Sequence, residues 1–196
     1  MLIKDKLLMM NSHMEYKPCR AELEAPTNNW DNSWRLVRLP GLTPEMKTFL
    51  WKLLHKILPT QDRLLRMKKS KSPLGHCQLC QDEVVESMEH ALISCQFNQN
   101  VGNMLLYGVS IIIPNITSNQ VLHLELDVEA NRELPLVIMI GHTLESIWSH
   151  RMKKIQIQPF LIRSDLEARA SMLRETRFRN AAVLLMEIIQ LCFQVI

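Results

Sequence analysis

The stretch HCQLCQDEVVESMEHALISC, residues 76–95, contains four residues that suit a metal ion. Cys77, Cys80, His90 and Cys95 follow the spacing C-x2-C-x9-H-x4-C. Thiolate sulfur and imidazole nitrogen are the ligands that tetrahedral zinc prefers, and a C-x-x-C turn supplies two of them from one loop. The spacing therefore predicts a structural Zn²⁺ site with three sulfurs and one imidazole.

The second half of this motif is expected to be helical. Ser87 is a good cap for a helix over 87–97, and that helix would carry both His90 and Cys95. These two residues would lie about one and a half turns apart, so both could reach the same ion. Two alternatives stay open: a redox-active C-x-x-C pair, which explains only the first two ligands, and cysteines buried for packing.

Composition favours helices in the rest of the chain. The 196 residues are 47% hydrophobic and include only 5 glycines, while leucine, methionine, glutamate and lysine are plentiful. No window contains the roughly 18 uninterrupted apolar residues of a membrane span, and the charged start MLIKDKLLMM does not resemble a secretory signal. We therefore expect no membrane partner and a reducing intracellular compartment, either nucleus or cytoplasm.

Helical patterns extend on both sides of the motif. Thr43 and Pro44 begin a helix that Pro59 is expected to end, and Thr60 is expected to cap a second helix, QDRLLRMKK. Further helices are predicted at 101–107, 133–157, 164–179 and 181–195. The predicted fold is mainly α, a small helical domain with a zinc-stapled loop–helix unit and a helical tail. The predicted division is 1–29 as a weakly patterned segment, 30–107 as the helix pair with the zinc site, and 108–196 as the tail.

Charge is distributed unevenly along the chain. The formal net charge is +3, but residues 47–71 contain eight Lys and Arg against one acidic residue, Asp62. Clustered positive charge beside a metal site is typical of proteins that bind a polyanion, so RNA or DNA is the expected partner, without sequence specificity. A second basic stretch, 151–179, is equally well explained as a solvated helix face. The predicted phosphate-binding residues are Lys52, His55, Lys56, Arg63, Arg66, Lys68, Lys69 and Lys71.

The stretch from Trp34 to Cys95 resembles the zinc-binding domain at the C-terminal end of reverse transcriptases from non-LTR (LINE-type) retrotransposons. A helix pair precedes the C-x2-C site in that family, and a segment E-S/T-x-x-H-x4-C closes it. The later IWSHRMKK, with Trp148 and Arg151, resembles the helical tail of such proteins more weakly. The resemblance implies a zinc-binding segment that serves a retrotransposon enzyme. The matching residues are Phe49, Trp51, Leu58, Thr60, Asp62, Leu64, Glu86, Ser87, His90 and Cys95.

The chain lacks the motifs of the family's catalytic domains. The polymerase uses paired aspartates and some relatives carry a Pro-Asp nuclease motif, but the sequence contains neither dipeptide. We therefore expect a non-catalytic module, because two-metal phosphoryl chemistry needs clustered carboxylates. The alternatives are a zinc-stabilised protein-interaction module, with 181–196 docking on a partner, and an inactive fragment. The acidic residues between the zinc ligands are expected to set turns and to complement the helix dipole; they are Asp82, Glu83, Glu86 and Glu89.

Overall fold

The computed structural model describes residues 30–70, 72–80 and 83–193. The predicted segment 1–29 and Lys71 therefore lie outside the described residues. The described parts contain helices and no strand, apart from one isolated antiparallel bridge between His76 and Val85, so the predicted mainly α class is confirmed. The helices are α1 (Trp30–Val37), α2 (Pro44–Leu54), α3 (Gln61–Arg66), a π-helical turn (His90–Ser94), α4 (Gln99–Ser110), α5 (Ser118–His123), α6 (Ala130–Met152), α7 (Pro159–Arg174) and α8 (Arg179–Phe193).

The start of α2 follows the sequence prediction. The Thr43 side chain accepts a hydrogen bond from the backbone N–H of Met46 at 3.3 Å, and Pro44 occupies the first turn. The end of α2 does not follow it. The helix stops at Leu54, before Pro59, because the chain turns at Lys56, which adopts a left-handed φ of 50°. The short helix α3 ends at Arg66 rather than at Lys69.

The tail helices differ from the prediction at their ends. The long helix α6 begins at Ala130 and stops at Met152, and the left-handed Lys154 at φ 57° turns the chain away. Ser164 does not cap α7, because that helix already begins at Pro159. Proline suits the first helical turn, where its missing N–H is not needed.

The helix α6 lies at the centre of the core. Leu136, Ile140, Leu144 and Ile147 are almost completely buried, and α6 packs against α1, α2, α4, α7, α8 and the π-helical turn. Buried side chains on both sides of residue 107 belong to the same hydrophobic cluster. The division into 30–107 and 108–196 stays a prediction.

The last helix, α8, uses its buried face within the chain. It packs on α7, α6 and α4 through the buried side chains Ala182, Leu185, Ile188, Ile189 and Cys192. Val183 and Leu191 remain 47% and 44% exposed. Among the described residues, no helix combines the length and the apolar content needed to cross a bilayer.

Candidate metal centre

The fold brings the four predicted ligands together. Their ligand atoms all lie within 4.8 Å of one another. The sulfurs of Cys77 and Cys95 are 3.8 Å apart, and Cys80 Sγ lies 3.4 Å from His90 Nε2. A tetrahedral zinc ion with Zn–S bonds of about 2.3 Å and a Zn–N bond of about 2.0 Å separates two sulfurs by about 3.8 Å and sulfur from nitrogen by about 3.5 Å. The Cys77–Cys95 and Cys80–His90 spacings fit that tetrahedron.

The first two ligands come from a tight loop between His76 and Val85, which we call the metal loop. The bridge between His76 and Val85 closes the loop, and the N–H of Cys77 donates to the carbonyl of Val84 at 2.9 Å. Inside it, the N–H of Leu79 donates to Cys77 Sγ at 3.4 Å. Backbone N–H groups that point at sulfur stabilise a thiolate. The loop therefore positions Cys77 as a thiolate ligand.

The other two ligands lie on a π-helical turn rather than on one regular α-helix: His90 is the first residue of the turn, and Cys95 follows its last. As predicted, Ser87 stabilises the start of the segment: its hydroxyl accepts a hydrogen bond from the N–H of His90 at 3.1 Å. Cys95, however, lies outside the helix in an extended conformation, and its N–H donates to the carbonyl of His90 at 2.8 Å. This wide turn, and not helical spacing over 87–97, brings the two side chains together. A π-helical turn of this kind is frequent at functional sites.

A buried arginine from the distant helix α6 completes the site. Arg151 is 5% exposed and donates to Cys77 Sγ at 2.9 Å and to Cys95 Sγ at 3.3 Å. It also forms an ion pair of 2.5 Å with Glu86. The interpretation of this part of 151–179 as a solvated or phosphate-binding face is therefore wrong for Arg151. The only sequence signal for it was the weak resemblance of IWSHRMKK to the family's tail.

Glu86 connects the metal loop to the helix pair. It is 6% exposed, and its carboxylate accepts hydrogen bonds from Arg151 and from the N–H of Gln61 at 3.2 Å. Its backbone carbonyl accepts from the N–H of Asp62, and its own N–H donates to the carbonyl of Gly75. Glu86 was expected to set a turn or to complement a helix dipole. It is instead the buried counter-ion of Arg151, between the start of α3 and the ligands.

The electrostatic environment favours a thiolate at Cys77 and a shared proton on Cys95. The pKa of the Cys77 thiol lies well below its usual range because it accepts hydrogen bonds, first from the Cys95 thiol and then from backbone N–H groups and Arg151. The pKa of Cys95 is raised, because it holds the proton shared with Cys77 and because it is buried. Burial by itself would lower the pKa of Arg151, but its sulfur and carboxylate acceptors raise it. Arg151 therefore stays charged beside the sulfurs.

The donor set fits zinc better than the two alternatives. Four protein ligands of soft and borderline character are typical of a structural zinc site, in which no position is left for a substrate. A redox C-x-x-C pair explains neither the imidazole nor the third sulfur at these spacings. Cysteines buried only for packing do not need an arginine that donates to two of them.

The structure separates the predicted phosphate-binding residues into different environments. Arg66 forms an ion pair of 3.1 Å with Asp62, and Arg63 donates to the carbonyl of Lys56 at 2.7 Å. Lys56 and Arg66 line a cavity of about 220 Å³ beside α5, whereas Lys52 lines a groove between α2 and α6. The exposed members of the predicted set are Lys52, Arg66, Lys68 and Lys69; His55, Lys56 and Arg63 are half-buried.

Comparison with known proteins finds a family to which part of this chain is similar. Residues 10–101 match the family model described as zinc-binding in reverse transcriptase. The match covers just under half of the chain and contains all four clustered ligands, so the predicted resemblance is confirmed for this segment. The matched family is an accessory zinc-binding domain rather than a catalytic one. No curated protein and no solved structure matches the chain.

Proposed function

We propose that this chain is a structural zinc module that binds the phosphate backbone of RNA or DNA. The observation that carries the metal part is the convergence of three sulfurs and one imidazole nitrogen, all within 4.8 Å of one another. Three of the four ligands, Cys77, His90 and Cys95, are at most 7% exposed. A buried site with four protein ligands suits a structural role, because a catalytic zinc needs an open position.

The bound ion would supply folding energy rather than chemistry. Structural zinc sites contribute about 10–16 kcal/mol of apparent binding free energy at neutral pH, against about 5–15 kcal/mol for the stability of a typical domain. The residues around the ligands belong to the metal loop, the π-helical turn, α3 and α6. Zinc would therefore hold the basic helix pair and the helical tail in one arrangement.

The nucleic-acid part of the proposal rests on exposed positive charge. Lys52, Lys68 and Lys69 are exposed, and 47–71 contains one acidic residue. Lysine contacts to phosphate give affinity without reading sequence, and each contact makes binding more sensitive to salt. Binding without sequence preference suits an accessory domain that holds template RNA or target DNA.

Salt titration tests the phosphate contacts. We expect the wild-type chain to bind RNA or DNA with an affinity that falls by orders of magnitude between low and physiological salt. Replacing Lys68 and Lys69 by alanine should weaken binding and reduce the slope of log affinity against log salt by about 2. Replacing Arg132 of α6 and Arg174 of α7, which are also exposed, is the matched control for charge. Equal effects of the two double variants would show that only net charge matters.

Metal analysis tests the zinc site separately. Native mass spectrometry should detect one zinc per chain in the wild type and none in Cys95→Ala. The matched control is Cys192→Ala, which removes a buried thiol of α8 next to Met139 and leaves the cluster intact. Zinc loss from both variants would mean that general unfolding, and not ligand removal, releases the ion.

A protein-interaction module is the second candidate function. The favouring observation is the exposure of Val183 and Leu191 on α8, whose opposite face is buried in the core. Nucleic-acid binding that is absent or insensitive to salt would favour this candidate. In either case thiolate ligands need reduced cysteines, so we place the protein in a reducing compartment, nucleus or cytoplasm.

A further inference from the structure

Trp51 is exposed on a helix whose other large apolar residues are buried. It is 45% exposed, whereas the neighbouring core residues Leu50, Leu53 and Leu54 are at most 1% exposed. We propose that Trp51 stacks on a base of single-stranded RNA or DNA. This inference rests on the proposed nucleic-acid binding and adds a base-contacting site that the metal site and the basic residues do not supply.

Trp51 is the outer ring of a three-ring cluster. The His55 ring lies 4.1 Å from the Trp51 ring, with 33° between the ring planes. The His55 ring also lies 5.0 Å from the Trp34 ring of α1, at an interplanar angle of 53°. His55 Nδ1 donates to the backbone carbonyl of Trp51 at 2.9 Å, which fixes the imidazole ring. The exposed indole therefore packs against an imidazole that is itself held by a hydrogen bond.

The cluster lies in a positively charged part of the chain. Residues 30–70 contain nine Lys and Arg and three acidic residues. Lys47 precedes Trp51 by one helical turn, and exposed Lys52 follows it directly. On the neighbouring helix α1, the positive charge of Arg35 is paired with Glu133 of α6. Lysines on the same short helix as an exposed indole suit a ligand that has flat rings and phosphates.

A single strand is the form of nucleic acid that fits this surface. Proteins that bind single strands combine a positive surface with aromatic side chains on which bases stack. In a duplex the base faces are already covered by their neighbours, so an indole cannot reach them without unstacking a step. His55, which was predicted to contact phosphate, acts in this arrangement as the support of the stacking ring.

The test compares Trp51 variants of the zinc-loaded full chain on a labelled single-stranded oligo(dT), an oligo(rU) and a DNA duplex. Stacking contributes about 1–3 kcal/mol per base, so Trp51→Ala should weaken single-strand binding roughly 5- to 150-fold. Duplex binding and the salt slope should stay unchanged. Tyr107→Ala is the matched control, because Tyr107 is also 45% exposed but lies on α4. It should bind both forms like the wild type.

A second readout covers the case in which Trp51→Ala does not fold. Trp51 is the most exposed of the tryptophans at described positions, so single-strand binding should quench the wild-type fluorescence. Trp51→Phe keeps an aromatic ring and should abolish that quenching while binding is largely retained. Unchanged quenching, or equal weakening of single-strand and duplex binding by Trp51→Ala, would overturn the stacking proposal alone. If the wild type binds neither form at low salt, the proposed nucleic-acid function fails as well.

Discussion

The contact between Arg151 and the metal site can be tested by replacing Arg151 with methionine. Methionine keeps much of the apolar stem but removes every donor. The change leaves the carboxylate of Glu86 buried without its ion-pair partner, and it removes the donors to the Cys77 and Cys95 sulfurs. Both ion-pair partners are almost inaccessible, with side chains 3% and 7% exposed. Solvent can therefore not replace the lost interactions.

The expected cost follows from this burial. Removing one partner of a buried ion pair destabilises a protein by about 3–5 kcal/mol, because the remaining charge stays uncompensated. Loss of a residue that hydrogen-bonds metal ligands typically lowers metal affinity by about 10–100-fold. We expect both effects in Arg151→Met, since this side chain contacts the carboxylate and two sulfurs at once.

Urea unfolding with saturating zinc and chelator competition measure the two quantities. The double variant Arg151→Met, Glu86→Gln removes the charge that Arg151→Met leaves unpaired. Its loss in the free energy of unfolding should be about 1–3 kcal/mol smaller than the sum of the losses of the two single variants. The matched control is Arg163→Met on α7, which breaks an exposed ion pair of 2.8 Å with Glu167. That change should cost about 0–1 kcal/mol and leave zinc affinity unchanged.

One result would refute this reasoning. If Arg151→Met lowers the free energy of unfolding by no more than Arg163→Met, and zinc affinity does not change, then the arginine is not coupled to the ligands. The tail would then be attached to the zinc segment only by apolar packing.

Three further predictions address other parts of the molecule. Chelation of zinc from the wild type should reduce helical circular dichroism and thermal stability, whereas Cys95→Ala should show the reduced values before chelation and no further change. Burial lowers the pKa of His142 to about 4, so the unfolded chain takes up a proton first as pH falls. The free energy of unfolding should therefore drop by up to about 3 kcal/mol between pH 6.5 and 4. Urea unfolding of the wild type and of His142→Gln over this pH range should measure the difference. Gly102→Ala should destabilise by more than 2 kcal/mol in thermal unfolding, because a Cβ there would lie 2.2 Å from the carbonyl oxygen of Ile93.

Local sequence patterns were sufficient for the ligands and for several helix starts. Thr43 and Pro44 specify the start of α2, because capping and the missing proline N–H act within one turn. The spacing of the cysteines and the histidine likewise identified four side chains that the fold brings within 4.8 Å. Helix ends were less predictable. α2 and α6 stop where lysines adopt left-handed backbone conformations, at Lys56 and Lys154, and no local signal marks those positions.

By itself, the sequence determined which side chains can hold the ion, the helical class and the resemblance of the zinc segment, because these depend on residue type and on short spacings. Tertiary structure alone decided that Cys95 leaves the helix through a π-helical turn, and that Arg151 lies against sulfurs 56 and 74 residues earlier in the chain. Such contacts arise when buried helices pack and each buried charge must find a partner. Pairing over that distance leaves no periodic pattern in a single sequence.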